Sequence, residues 1–183
     1  MSAIPEGGAA DLIIRDAAAE DMVQVARIYG HYVREGLASF EFTPPDAQQL
    51  RSRHAAIVAA ALPYLIAEAG GEIAAYAYAG PYRPRPGYRY TVEDSVYVAQ
   101  AWCGRGIGRV LLRTLIERCE SGPWRQMIAV IGDSANAASI ALHERCGFQT
   151  VGTFRSVGYK LGRWVDTVLM QRPLGPGDGR APD

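Results

Sequence analysis

The sequence has little that would commit it to a special environment. It holds 3 cysteines, Cys103, Cys119 and Cys146, an odd number with no C-x-x-C pair. Neither a disulfide framework nor a zinc ribbon is written into it, and reduced thiols are the simplest expectation. No apolar run approaches the roughly 20 residues of a membrane-spanning helix. The opening residues Met1-Ser2-Ala3-Ile4-Pro5-Glu6-Gly7-Gly8 have neither the cationic flank nor the apolar segment of a secretory signal, so the chain reads as cytoplasmic with no membrane partner. A charge excess is missing too. Lys plus Arg number 19 against 19 Asp plus Glu, and the sequence pI is ≈ 6.8. Nucleic acid is bound by clustered basic side chains, so no nucleic-acid partner is expected and a small molecule fits better. There is no internal repeat and no metal-ligand spacing, and no metal is expected.

What is present suits one domain. A chain of 183 residues with 49% hydrophobic composition buries about 70% of its unfolded surface and needs no staple. Residues 12–174 form that domain, between a flexible stretch at 1–11 and a disordered Gly-Pro-rich tail at 175–183.

Leu12-Ile13-Ile14 reads as a first strand. Val25, Ile28, Tyr29, Tyr32 and Val33 recur at helical spacing, and Gly36 ends that stripe. Thr43-Pro44-Pro45-Asp46 caps a second helix with Leu50, His54, Ile57, Val58 and Ala61 on one face, stopped by Pro63. Tyr64–Glu68 and Ile73–Ala79 flank Gly70-Gly71 as a hairpin. Pro81 to Gly87 is too proline-rich for a central strand. A strand from Arg89 to Ala99, the run Gly104-Arg105-Gly106-Ile107-Gly108 and a helix then follow directly. Met127–Ile131 is a strand, Asn136–Cys146 a helix capped by Gly147, and Thr150–Phe154 and Val165–Met170 are two last strands joined by a Gly-rich segment. The order β-α-α-β-β-β-α-β-α-β-β describes an α/β fold, one mixed sheet with helices on both faces.

Glycines at alternate positions between a strand and a helix let backbone approach a ligand closely, while the helix N-terminus aims free N–H groups at it. That is a phosphate site, to which Arg105 and Arg109 can add charge; otherwise it is a tight turn beside two solvated arginines. A nucleoside-triphosphate loop needs G-x-x-x-x-G-K-[ST], which is lacking. A dinucleotide fingerprint needs a third glycine where Arg109 stands, and an earlier place in the chain.

With that loop, the chain resembles the GCN5-related N-acetyltransferases (GNAT), in the subgroup that acetylates phosphinothricin and methionine sulfoximine. The resemblance is carried also by Tyr90-Thr91-Val92-Glu93-Asp94-Ser95-Val96-Tyr97-Val98, by Ala129-Val130-Ile131-Gly132-Asp133-Ser134 with Asn136 to Glu144, and by Phe40-Glu41, Arg83-Pro84-Arg85 and Val157 to Asp166. It runs from about Ile14 to Leu174. It implies a single-domain GNAT fold with a mixed, mostly antiparallel central sheet flanked by helices, acetyl-CoA as co-substrate, and a homodimer in which the segment around Trp164 is a candidate contact. One departure stands out: the first loop position, usually Arg or Gln, is Cys103.

The resemblance also implies roles. The pantetheine arm would pair with the backbone of Val96, Tyr97 and Val98, and the pyrophosphate would lie on Gly104, Arg105, Gly106, Ile107, Gly108 and Arg109. Asn136 and Ser139 would bond the far end of the arm. Glu93 is the expected base, directly or through water, because an alkyl ammonium must lose a proton before it attacks; as a plain strand carboxylate it would be solvated or salt-bridged. His143 is the candidate acid for the leaving thiolate, or simply a hydrogen-bonded helix histidine. Arg83 and Arg85, with Pro84 between them, and Glu93, Asp94 and Ser95 match substrate-binding positions. An arginine there can take a carboxylate or phosphinate in bidentate fashion. Phe40 would wall the amine pocket. The activity implied is acetyl transfer to the α-amine of phosphinothricin, methionine sulfoximine or methionine sulfone in a ternary complex, as in resistance to a herbicide-like antimetabolite. The same fold acting on another small amine, or a non-catalytic acetyl-CoA-binding module, stays open.

Overall fold

A computed structural model describes residues 12–182; the stretch expected to be flexible, 1–11, and the final tail residue lie outside them. The elements are β1 (Ile13–Asp16), α1 (Met22–Glu35), α2 (Ala47–Ala59), β2 (Tyr64–Ala69), β3 (Glu72–Pro81), β4 (Thr91–Val98), α3 (Ile107–Glu120), β5 (Gln126–Gly132), α4 (Ala137–Arg145), β6 (Gln149–Lys160) and β7 (Arg163–Pro173). This is the α/β order read from the sequence. The seven strands make one sheet in the order β1-β2-β3-β4-β5-β7-β6, antiparallel at every step except β4–β5.

Local chemistry explains most boundaries. The β2–β3 turn uses Gly70 and Gly71 at φ 58° and 78°, the left-handed values that a tight hairpin requires and that glycine reaches without strain. Asp46 closes a capping box on α2, accepting the Gln49 N–H at 2.8 Å while Gln49 accepts the Asp46 N–H at 2.9 Å. Gly147 ends α4 at φ 86°.

Two apolar layers sandwich the sheet. Leu111, Leu112 and Leu115 of α3 pack on Ala75, Val92, Met127 and Met170 of one sheet face. Val25, Ile28, Tyr29 and Val33 of α1, with Leu50 of α2, pack on Tyr64, Ile66 and Tyr76 of the other. Among the described residues no helix is long and apolar enough to cross a membrane.

Three local expectations need correction. Helix α2 stops at Ala59, and Leu50, His54 and Ile57 face the core while Val58 is exposed; Ala61, expected on the same face, lies beyond the helix at φ 55°, in the turn before β2. The strand expected from Arg89 begins at Thr91, after a turn of 3-10 helix at Pro86–Tyr88. The last two strands are a long hairpin rather than short strands with a glycine linker: β6 runs to Lys160 and turns at Leu161-Gly162. Its irregularity is absorbed in register shifts at Thr150/Gly152 and Phe154/Gly158. After Leu174 the chain runs through turns in which the Gly177 and Gly179 N–H groups donate to the Leu174 and Pro176 carbonyls, both at 3.0 Å.

Leu115 is fully buried in the α3 layer, so Leu115→Ala is expected to cost about 3 kcal/mol, read as a lower denaturation midpoint with an unchanged m-value.

Candidate functional site

The parallel pair β4–β5 is short. It holds only Thr91–Gln126, Val92–Met127 and Glu93–Ile128. Beyond Glu93 the two strands diverge, β4 staying on β3 and β5 staying on β7. The wedge between them opens into two adjoining cavities that share Ala38, Val96, Tyr97, Asn136 and Ser139.

The wedge leaves backbone groups of β4 without a strand partner on one side. The Ala99 N–H bonds to the Ala74 carbonyl and the Thr91 carbonyl accepts from Tyr82, while the Tyr90 carbonyl turns the other way to Arg125. By the alternation of an antiparallel ladder, odd-numbered residues of β4 face β3 and even-numbered ones face the wedge. Val96 and Val98 therefore present their backbone there. Tyr97, expected to do the same, has its N–H and carbonyl turned to β3, and what it brings to the cavities is its ring. The Val98 carbonyl is already taken by the Tyr32 hydroxyl at 2.7 Å, which leaves its N–H facing the wedge.

The cavity beside α3, ≈ 530 Å³, is lined by Gly104, Gly106, Gly108 and Arg109. Gly104 and Gly106 sit at φ 75° and 83°, and a Cβ added to either would meet nothing within 4 Å. Gly106 is also the N-cap of α3. Free N–H groups and open space at a helix N-terminus fit a pyrophosphate. Ile107 points into the core, so only its backbone is available, and the Arg105 guanidinium lies 4.8 Å over the Trp102 ring. Cys103 is exposed, and its thiol leans on the Val98 and Ala99 carbonyls.

The second cavity, ≈ 500 Å³, is the one that Glu93 lines, with Phe40, Tyr78, Ser95, Tyr97 and Ile131. Burial first, and the neighbouring Asp94 carboxylate second, push the Glu93 pKa up to about 7, with Arg83 pulling the other way. A carboxyl poised there can hold or release a proton at neutral pH.

Asp94 and His143 meet on the opposite side of β4. His143 Nε2 lies 3.0 Å from Asp94 Oδ2 and its Nδ1 2.7 Å from the Ser139 carbonyl, both side chains being buried. Burial lowers the imidazole's affinity for a proton, but the Asp94 bond and charge and the Ser139 carbonyl outweigh it, so the net shift is upward. One expectation changes: both ring nitrogens of His143 are engaged, which leaves neither free for acid work. Asp94 bonds His143 through Oδ2 alone; its Oδ1 is buried with no hydrogen-bond partner among the described residues, and both side chains belong to residues that line the Glu93 cavity. Asn136 caps α4 by accepting the Ser139 N–H at 3.2 Å.

Arg83, Pro84 and Arg85 are exposed and do not line the Glu93 cavity. Arg83 instead lies 5.1 Å over the Tyr82 ring. Phe40 does form part of the wall. Its neighbours are residues that the sequence did not single out: the Tyr29 hydroxyl meets Ser39 Oγ at 2.8 Å and donates to Glu41 at 2.9 Å, and Arg53 clamps Glu41 with two bonds, at 2.6 and 3.2 Å. Tyr29 carried only the periodic signal of a core residue, Glu41 only its place in the Phe40-Glu41 echo of the resemblance, and Ser39 and Arg53 carried none.

Known proteins agree with this geometry. Residues 25–148 match the Acetyltransferase (GNAT) family. The phosphinothricin N-acetyltransferase of Alcaligenes faecalis is 55% identical, over 93% of this chain and 85% of that protein. An L-methionine sulfoximine/L-methionine sulfone acetyltransferase of Pseudomonas paraeruginosa is 42% identical, over 89% of this chain and 95% of that one. Among solved structures, a GNAT phosphinothricin acetyltransferase of Sinorhizobium meliloti in complex with acetyl-CoA superposes with a TM-score of 0.91 at 42% identity, covering 94% of each chain.

With Glu93 as base, kcat/KM should fall as pH drops below about 7, where the carboxylate takes up a proton. Glu93→Gln should remove that limb and lower kcat/KM by about 100-fold or more. A pH–rate profile of both proteins checks it.

Proposed function

The chain belongs to the GNAT acetyltransferase family, and from that premise we propose that it acetylates the α-amine of a small amino-acid analogue of the phosphinothricin, methionine sulfoximine or methionine sulfone type. The observation that carries the reading is Glu93, held near neutral pKa at the point where the strands part, beside a glycine cradle built for pyrophosphate. Identities of 55% and 42% to enzymes named for those acceptors support the substrate class.

Acetyl-CoA is the acetyl donor and supplies the acyl group already activated as a thioester. The protein's part is placement and proton handling. Gly104, Gly106 and the α3 N-terminus hold the pyrophosphate, with Arg109 alongside, and the wedge-facing backbone of Val96 and Val98 aligns the pantetheine arm. The Val98 N–H is the candidate donor to the thioester carbonyl, where charge develops during attack. Glu93 takes the proton from the acceptor ammonium, directly or through water, so that the amine attacks in a ternary complex with no acyl-enzyme; the C–S bond then breaks, and the departing CoA thiolate takes up the second amine proton, directly or through solvent. Asn136 and Ser139 stand where the two cavities join. The Asp94–His143 pair ties α4 to β4 and so holds Ser139 in place. Arg83 and Arg85 lie outside the cavity on the proline-rich loop, and of the two it is Arg83 whose charge reaches Glu93; that guanidinium is the candidate to meet an acceptor's acidic group.

A homodimer is part of the proposal. Val151, Phe154, Val157 and Tyr159 of β6, Leu161 of the turn and Trp164 of β7 are each more than half exposed. Such an apolar strip on an edge hairpin is an aggregation liability unless a partner covers it, and a second copy is the partner that the subgroup resemblance implies.

Thiol release from acetyl-CoA against phosphinothricin, methionine sulfoximine, methionine sulfone, the common amino acids and spermidine tests the activity. Preferential turnover of the analogues is expected; turnover of spermidine or an ordinary amino acid alone would discard the substrate class but keep the donor and Glu93. For the assembly, light scattering should show a dimer that Phe154→Glu with Trp164→Glu converts to monomer.

A further inference from the structure

The wall facing Glu93 is made partly by chain with no regular structure. Ala38, Ser39, Phe40 and Glu41, between α1 and α2, all line the cavity, and a bare loop would hold such a wall poorly. Tyr29 and Arg53 hold one side of it through Ser39 and Glu41. The other side is held from far along the chain, by two residues of β6 that do not line the cavity themselves.

Lys160 is 2% exposed, and its ammonium donates to the Ser39 carbonyl at 2.5 Å. Burying an ammonium is costly. This one has no carboxylate in salt-bridge range among the described residues, and what the burial secures is a charge-assisted bond fixing the loop at Ser39. Gly158 lies two residues earlier, on the same face of the strand. A Cβ built there would fall 2.1 Å from Phe40 Cε1, 2.6 Å from Cδ1 and 2.9 Å from Cζ. The Phe40 ring occupies the space that any side chain at this position would fill, so it stands between the bare backbone of β6 and the cavity. Gly152, on the same strand, has nothing within 4 Å of its added Cβ. The fit at Gly158 is therefore particular to that position.

We propose that Gly158 and Lys160 are specificity-determining residues for the acceptor: Gly158 sets how far the Phe40 ring stands back from Glu93, and Lys160 locks Ser39 so that the ring keeps that distance. The proposal rests on the reading that the acceptor enters the cavity between Phe40 and Glu93. Both are positioning residues and act through the loop. A side chain at position 158 would drive the ring into the cavity, and acceptors with long side chains would lose most. Loss of the Lys160 bond would free the loop and weaken acceptor binding at any size. Of residues 38–41 only Ala38 also lines the cavity of the glycine cradle, so both changes should act mainly on the acceptor.

The test is steady-state kinetics of Gly158→Ala, Gly152→Ala and Lys160→Met with acetyl-CoA and two acceptors, one long such as methionine sulfone and one short such as alanine. For Gly158→Ala the ratio of kcat/KM, long over short, should fall about tenfold or more, mainly through KM. The KM for acetyl-CoA should stay within about twofold, and Gly152→Ala should match the wild type. Lys160→Met should raise the acceptor KM about tenfold with the acetyl-CoA KM unchanged. Its melting temperature should be no lower, since an apolar isostere removes a buried charge, while amide exchange at residues 38–41 speeds up. An unchanged long-to-short ratio in Gly158→Ala, or equal losses for acceptor and donor in both variants, overturns the proposal. If the wild type ignores methionine sulfone, the substrate reading fails by itself, and the same ratio is measured with whichever long and short amines it accepts. Should Gly158→Ala fail to fold, Lys160→Met with its exchange measurement decides.

Discussion

The site depends on one broken pairing. At Glu93–Ile128 the only parallel step in the sheet ends, and each strand leaves with its antiparallel neighbour. A ladder that continued would have used the even-numbered backbone groups of β4 for β5, and no wedge would exist. Because it stops, Val96 and Val98 keep hydrogen-bonding capacity on an inner strand, a place where unpaired backbone is otherwise costly. The same divergence puts Glu93 at the apex of the wedge, enclosed enough to lose much of its hydration yet open to a substrate. The raised pKa and the free strand edge have one geometric cause.

Holding the wedge open takes work from both apolar layers. On one face, α3 delivers the glycine cradle at its N-terminus, and α4 is tied to β4 through Asp94 and His143. On the other, Tyr32 of α1 takes the Val98 carbonyl and Tyr29 anchors the α1–α2 loop. The edge hairpin reaches the same loop from across the sheet through Lys160. Residues separated by up to 121 positions therefore fix one wall, whereas the cradle is built by a dozen neighbours in sequence. The cavity proposed for the donor is local and the one proposed for the acceptor is assembled at long range.

That difference explains what the sequence could and could not tell. Strands, helices, the Gly70-Gly71 turn, the Asp46 cap and the Gly104–Gly108 cradle are legible because each is short-range: a period, a cap, a run of glycines before a helix. The subgroup motif pointed to Glu93, and the structure adds the reason for its poise. Tyr97 was assigned to the arm because a motif does not say which side a backbone group faces; that follows only from the register with β3. Asp94 and His143, 49 positions apart, were read separately as substrate ligand and acid, and their pairing with each other is invisible until β4 and α4 are packed. Arg53 reads as an ordinary charged residue for the same reason, and Glu41 and Lys160, though inside stretches that carry the resemblance, give no sign there of what they bond.

The burial that makes Glu93 useful also works against the fold. Its pKa rises from an unperturbed 4.5 to about 7 on folding, so between those values the native state holds a proton that the unfolded chain has released. Stability contributed by the protonated group is therefore present below about 4.5 and lost as pH rises towards 7. A carboxylate in a salt bridge would show the opposite sign. Arg83 is the cation whose field reaches Glu93, and it lies exposed outside the cavity, offsetting the burial only in part. A closer cation would steady the fold and lower the pKa, leaving a weaker base for an ammonium. The exposed position of Arg83 thus keeps the carboxyl near neutrality while leaving its guanidinium turned to solvent, where an incoming anionic acceptor would first meet it.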